Sequence, residues 1–262
     1  MRLTREVRFS VGSPLDRPTT NSWGGWPSAV GVEPYLSLRA GVTGDPDPIS
    51  GYLCNVVVID ELIRDRAIPM VCCLWNERPG VTGEQLIRAL AVDLLNSPPP
   101  GTWWADWQLN VTPYLSYATQ AGAPNMVDIQ QSFEFSAAHR LHCPTMSDEE
   151  NRRVFGKCNN PNGHGHNYGL EVMVTGEPDP STGLLLPIES LEGIVKQQVI
   201  DRLDHKHLNR DCPEFASVNP SVENIARTIW GLLEGRMGPA RLKRVRVWET
   251  PKTCAEYEGP AG

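Results

Sequence analysis

The sequence predicts an α+β protein of two related units, each running strand, strand, helix, helix, strand, strand. Three observations point to it. One twelve-residue segment occurs twice, the segments flanking it echo one another in the same order, and in the second half the apolar period switches from two to 3.6 and back. VTGDPDPISGYL (42–53) and VTGEPDPSTGLL (174–185) match at eight of twelve positions without a gap. VRFSVG (7–12) resembles FEFSAA (133–138), and VTGEQLIRALAVDLL (81–95) resembles PSVENIARTIWGLL (220–233). NVTP (110–113) stands where WETP (248–251) stands. Matches in a fixed order along both halves point to a duplication. AGAPN (121–125) is the expected linker, so the expected domains are 1–122 and 127–262.

The elements are clearest in the second half. In IQQSFEFSAAH (129–139), Phe133, Phe135, Ala137 and His139 share one face, as in a strand. HGHNYGLEVMV (164–174) alternates too, with His164, His166, Tyr168, Leu170, Val172 and Val174 on one side. From 189 onward Leu191, Ile194, Val195, Val199 and Leu203 trace a helical stripe. Asn219-Pro220 supplies an N-cap and first-turn signal for a second helix with Ile225, Ile229, Leu232 and Leu233 inward. LKRVRVWET then returns to alternation, with Val245, Val247 and Glu249 on one face. Four strands of this kind make an antiparallel sheet with both helices on one side.

The composition, 40% hydrophobic and 21% charged over 262 residues, is that of a globular protein with apolar residues enough for real cores. A net charge of −7 argues against a nucleic-acid partner. It leaves room for an anionic small substrate in a local basic pocket. No apolar run is long enough to predict a membrane span, and MRLTREVRFSVG lacks the apolar core of a signal peptide. Seven cysteines without framework spacing suit a reducing compartment, so a cytoplasmic location is expected.

All six histidines fall between 139 and 207. His164 and His166, two apart on a strand, project from one face and can reach one ion. His139, ending a neighbouring strand on its inner face, is a candidate third ligand. Three imidazoles with an open position would make a catalytic zinc site, whereas Cys158 as a fourth ligand would close a structural one. Spacing alone leaves both open.

FSAAHRLHCPTMSDEENRRVFGKCNNPNGHGHNY, then GEPDPSTG, LDHKHLN and VWET, closely resemble the 6-pyruvoyl-tetrahydropterin synthase family over residues 130–259. The first half resembles it only as a degenerate copy. The resemblance implies tandem units of the tunnelling fold. It also implies conversion of 7,8-dihydroneopterin triphosphate to 6-pyruvoyl-tetrahydropterin with loss of triphosphate, a lyase reaction. By the same resemblance His139, His164 and His166 hold Zn2+, Cys158 is the catalytic thiol, and Asp204 with His205 forms the relay beside it, supplied to the cysteine of a neighbouring unit. Glu249 becomes the anchor for the pterin's pyrimidine edge, with Ser221 and Glu223 as further substrate-binding residues. Where the family has two adjacent hydroxyl residues this chain has Ser221-Val222. The five residues between Cys158 and His164 favour the pyruvoyl enzyme over the 6-carboxytetrahydropterin synthase of queuosine biosynthesis. A non-catalytic pterin-binding or scaffold protein is the rival from another class, a description that fits the first half.

Elementary chemistry agrees with these roles. Proton movement along the substrate side chain needs a base, and a free thiol is only a few per cent thiolate at pH 7 unless a cation lowers its pKa. A carboxylate beyond Val245 and Val247 is costly to bury unpaired, and an aminopyrimidine with two parallel N–H donors removes that cost. Arg140, Arg152, Arg153, Lys157 and Lys206 are candidates for the triphosphate. Assembly as a homotrimer, or a multiple of one, is expected, with the second copies forming their own ring.

Overall fold

The computed structural model describes residues 1–12, 25–29 and 32–260. The chain divides into two compact units, Met1–Ile129 with Gly176–Leu185, and Gln130–Thr175 with Leu186–Gly262.

In the first unit β1 (Arg2–Ser10), β2 (Tyr35–Thr43), β3 (Trp103–Asn110) and β4 (Leu115–Gln120) pair successively and antiparallel. Between β2 and β3 come α1 (Val56–Leu62), a π-turn (Ile63–Ala67), α2 (Ile68–Glu77) and α3 (Gly83–Leu94). Strand alternation divides the sheet. Val7, Phe9, Leu38, Trp107 and Leu109 are buried together with Ile59, Ile63, Val71, Ile87 and Leu90 of the helical segments. Arg2, Glu6, Arg8 and Asp106 form ion pairs on the other face. Fully burying each such aliphatic or aromatic side chain is worth about 1.5–3 kcal/mol. Thr82 caps α3 through a reciprocal bond with Gln85.

In the AGAPN stretch the chain passes through a turn directly into the next strand. Residues 121–122 make a tight turn and β5 (Ala123–His139) starts at once. The Thr119 hydroxyl donates to the Met126 carbonyl at 2.7 Å. Two-residue turns close antiparallel hairpins, so the small residues here serve a turn.

The second unit contains the remainder of β5, then β6 (His164–Gly176), β8 (Arg241–Thr250) and β9 (Thr253–Tyr257), in that sheet order. β6 pairs antiparallel with β8, and β8 with β9. The β5–β6 connection carries α4 (Asp148–Phe155), a helix that sequence periodicity did not reveal, capped by Ser147 and Glu150. The β6–β8 connection carries α5 (Ile188–Val195), a π-turn (Lys196–Ile200) and α6 (Asp201–Leu203). It continues through the two-residue strand β7 (Lys206–His207), α7 (Leu208–Asp211) and α8 (Val222–Leu233). β7 lies parallel to the end of β5. The helix expected from Asn219-Pro220 starts two residues later, because Ser221 is the cap, accepting from the Asn224 N–H. Asn219 instead accepts the His142 N–H through its side chain and the Asn224 amide through its carbonyl.

The two units share their irregularities as well as their element order. A bulge falls at Gly41/Val42 against β3 and at Met173/Val174 against β8, the same step of the twelve-residue repeat. Each first helical run contains one π-turn, Ile63–Ala67 or Lys196–Ile200.

Candidate metal centre

His139 is the last residue of β5, and His164 and His166 are the first and third of β6. One nitrogen from each ring lies within 4.8 Å of the others, and no other residue belongs to this group among the described residues. The Nε2 atoms of His139 and His164 are 3.1 Å apart. His139 Nδ1 donates to the Pro220 carbonyl at 2.7 Å. That bond fixes the tautomer and leaves Nε2 as a bare lone pair facing the other rings. Burial, the largest influence, lowers the His139 pKa to about 4, so the ring is neutral at pH 7. The His166 Nε2 is buried without a hydrogen-bond partner. One buried and two half-buried imidazoles converging on one point, with the His166 Nε2 lacking a partner, fit a metal ion. Cys158 is not a member of this group.

Cys158 lies instead in a cleft of about 810 Å³ shared with His164, His166, Arg140, Arg152 and Lys157. This size suits a small ligand, and three of the five expected cations line it. Arg140 Nε donates to the Asn159 carbonyl at 3.2 Å. Asn159, buried and overlooked in the sequence, also donates to the Leu141 carbonyl at 2.7 Å and so ties the cysteine turn to the end of β5. Its signal was present only as one asparagine among several in CNNPNGHGHNY. Within this chain the thiol pKa is pushed up, first by burial and then by the Glu249 carboxylate.

Asp204 and His205 follow α6 directly, as expected. Ser136 clamps both, its N–H donating to Asp204 Oδ1 at 2.8 Å and its carbonyl accepting the His205 N–H at 2.6 Å. The other Asp204 oxygen holds His205 Nδ1 at 2.7 Å. The imidazole is 83% exposed, and its backbone sits at φ +56°, a left-handed conformation that costs a non-glycine residue about 1–3 kcal/mol. His205 lines a second hollow, with Gly165, His166, Asn167, Lys206 and His207, and neither residue of the pair lines the cleft of Cys158. Its Asp204 carboxylate is held below the usual range, chiefly by the Ser136 N–H and, more weakly, by His205.

Glu249, on the inner face of β8, faces the imidazoles. Its Oε1 lies 3.4 Å from His139 Nε2 and 3.8 Å from His166 Nε2, against the imidazoles. Glu223 is exposed in the first turn of α8, and hydrogen bonding from Ser221 is the main influence lowering its pKa. The sequence reading also missed His207, whose two ring nitrogens are buried without partners. Gly163, at φ +76°, leaves room for that ring, since a Cβ there would sit 2.7 Å from His207 Nε2.

Fold and site together define an α+β domain with three imidazoles that could hold a metal ion, beside a cleft at the ends of two sheet strands. The chain belongs to the family described as PTPS, 6-pyruvoyl tetrahydropterin synthase, whose sequence model matches residues 128–260. It is 44% identical over 131 residues to the human 6-pyruvoyl tetrahydrobiopterin synthase, covering 50% of this chain and 90% of that protein. It is 46% identical over 127 residues to the Drosophila melanogaster protein of the same name, covering 48% of this chain and 76% of that one. The solved structure of the Caenorhabditis elegans 6-pyruvoyl tetrahydropterin synthase matches 52% of this chain and 96% of its own, with 40% identity and a TM-score of 0.49.

Proposed function

We propose that the second unit is a zinc-dependent 6-pyruvoyl-tetrahydropterin synthase, a lyase that takes 7,8-dihydroneopterin triphosphate to 6-pyruvoyl-tetrahydropterin with loss of triphosphate. The observation that carries this reading is the convergence of His139, His164 and His166 beside a cleft that also holds Cys158 and three cations. Zinc, held by the three imidazoles, supplies Lewis-acid polarisation of the substrate's side-chain oxygens. Cys158 accepts and returns the side-chain protons. Arg140, Arg152 and Lys157 take the triphosphate charge.

Two features support an assembled enzyme. The environment of Cys158 within one chain raises its pKa, so a thiolate needs positive charge from elsewhere. The Asp204–His205 pair is oriented, exposed and outside the Cys158 cleft, suited to serve the cysteine of another chain. Homotrimers or multiples of them meet that need. For the pyrimidine edge, Glu249 is the anchoring carboxylate, with Ser221 and Glu223 as further substrate-binding residues. No helix is long and apolar enough to cross a membrane, and seven free thiols support a cytoplasmic setting.

The test is product analysis. Purified chain incubated with 7,8-dihydroneopterin triphosphate, with and without sulfite reductant, is expected to release triphosphate and yield the pyruvoyl product by mass spectrometry. A 6-carboxytetrahydropterin product would transfer the chain to the queuosine-type reaction, and no turnover by metal-loaded protein would refute the enzymatic reading.

A further inference from the structure

His142 belongs neither to the metal group nor to the Asp204–His205 pair. It follows the end of β5, and its half-buried ring stands against the cysteine turn. Asn159, the residue after Cys158, is 7% exposed and uses both polar atoms of its side chain here. Its Nδ2 lies 2.7 Å from the Leu141 carbonyl and 3.1 Å from His142 Nδ1, and its Oδ1 lies 3.4 Å from Arg140 Nη2. The backbone adds a tie of its own, since the Leu141 N–H donates to the Cys158 carbonyl at 2.9 Å.

Donor and acceptor chemistry fixes the state of His142. A carbonyl only accepts and a guanidinium only donates, so the Asn159 amide turns its nitrogen to Leu141 and its oxygen to Arg140. That nitrogen carries two hydrogens. One goes to the Leu141 carbonyl, and the other points at His142 Nδ1, which must accept it. The ring therefore carries its proton on Nε2, the reverse of His139, whose Nδ1 donates to the Pro220 carbonyl. The main chain of His142 makes a second tie. Its N–H donates to Asn219 Oδ1 at 3.1 Å, in the turn that supplies the Pro220 carbonyl and the Ser221 cap. One residue thus joins the cysteine turn to the support of a metal-site imidazole.

We infer that His142 is a positioning residue for Cys158, its Nδ1 lone pair completing the bonds of Asn159 that hold the cysteine turn and Arg140 in place. The inference rests on the reading of Cys158 as the acid–base group of the proposed reaction. Without that lone pair one Asn159 N–H is buried and unpaired, and the turn regains freedom to move the thiol. A thiol displaced by about 1 Å loses its alignment with the substrate carbon, which lowers turnover while leaving ground-state binding nearly intact.

Full-length, metal-loaded His142→Phe and His142→Asn test it. Phenylalanine keeps a ring but offers only a C–H at the Nδ1 position, whereas the asparagine side-chain oxygen reaches that position and accepts. His142→Phe is expected to lose roughly tenfold in kcat, the effect of one buried donor left unpaired, with KM changed less than about twofold. Its Cys158 is half-buried in the wild type. In the loosened turn it should react with iodoacetamide about threefold faster or more, read by mass spectrometry of the peptide containing it. His142→Asn should bring both rates back to within about twofold of wild type. Wild-type kcat and alkylation rate in His142→Phe, a His142→Asn variant as impaired as the phenylalanine one, or nitrogen NMR placing the wild-type His142 proton on Nδ1 would each overturn the inference. Alkylation and tautomer need no turnover. An inactive wild-type chain whose Cys158 still alkylates faster in His142→Phe would therefore support the positioning role while refuting the proposed reaction.

Discussion

At the first turn of α3 the first unit buries Glu84 almost completely. At the matching turn of α8 the second unit leaves Glu223 exposed and aims the Pro220 carbonyl at His139. The backbone around the two turns is the same down to the cap, the π-turn and the bulge. Beside the inserted α4, β7 and α7, what separates the units chemically is a handful of side chains at strand ends, since histidines occur only in the second half. A duplicated skeleton keeps its irregularities because bulges and caps satisfy backbone groups that every copy must satisfy. A metal site needs three side chains at once and is lost by changing any of them.

The comparison breaks most sharply at the imidazoles. His164→Ala is expected to cost roughly 10³-fold or more in turnover, the several kcal/mol that a Lewis-acid site supplies. Cys158→Ser comes next, losing about 10²-fold or more while keeping its metal, as loss of an acid–base group does. Steady-state kinetics on metal-analysed protein reads both, and a cysteine variant that loses its zinc would refute the assignment of the thiol as a base.

Glu84 sharpens the comparison from the other side. Burial raises its pKa above the ordinary 4.5, with its own backbone N–H, Thr82 and the Leu185 N–H opposing. The folded first unit thus holds a proton that the unfolded chain gives up, and ionisation costs stability as pH rises through that interval. Glu84→Gln should stabilise the protein at pH 7 by about 1–3 kcal/mol in denaturant titration, whereas Glu223→Gln should leave stability nearly unchanged and raise KM. His139 carries the opposite sign. Its folded pKa, depressed from 6.5 to about 4, means that metal-free second unit is fully stable above 6.5 and loses stability as pH falls toward 4. Hydrogen exchange on chelated protein should show the second unit loosening over that range while the first does not. The smallest effect is expected at the cleft rim, where Arg152→Gln should raise KM by a few-fold, in keeping with the 0.2–1 kcal/mol of an exposed charge contact.

Much of this was legible in the chain. Alternation ending in His139 and starting at His164 placed all three imidazoles on inner strand faces, because side-chain direction in a strand follows from parity alone. The place of Asp204 and His205 just past a helix was legible from the apolar stripe ending at Leu203. Positions that depend on turns were not. Ser221 displaced Asn219 as the cap because the Asn219 side chain is used by the His142 N–H, a partner 77 residues away. Glu249 was legible as an inner-face carboxylate but not as a neighbour of the imidazoles, since strand parity gives the face and not the distance. The cap of α4 was present in Ser147 and Glu150, yet a polar eight-residue helix leaves no apolar stripe to read.

The central claim is that metal chemistry belongs to the second unit alone. Zinc per chain, measured by elemental analysis after exhaustive desalting of wild type and of His164→Ala, tests it most directly. One tightly held ion per wild-type chain and none in the variant is the expected result. Two ions per chain, or one that survives His164→Ala, would contradict it.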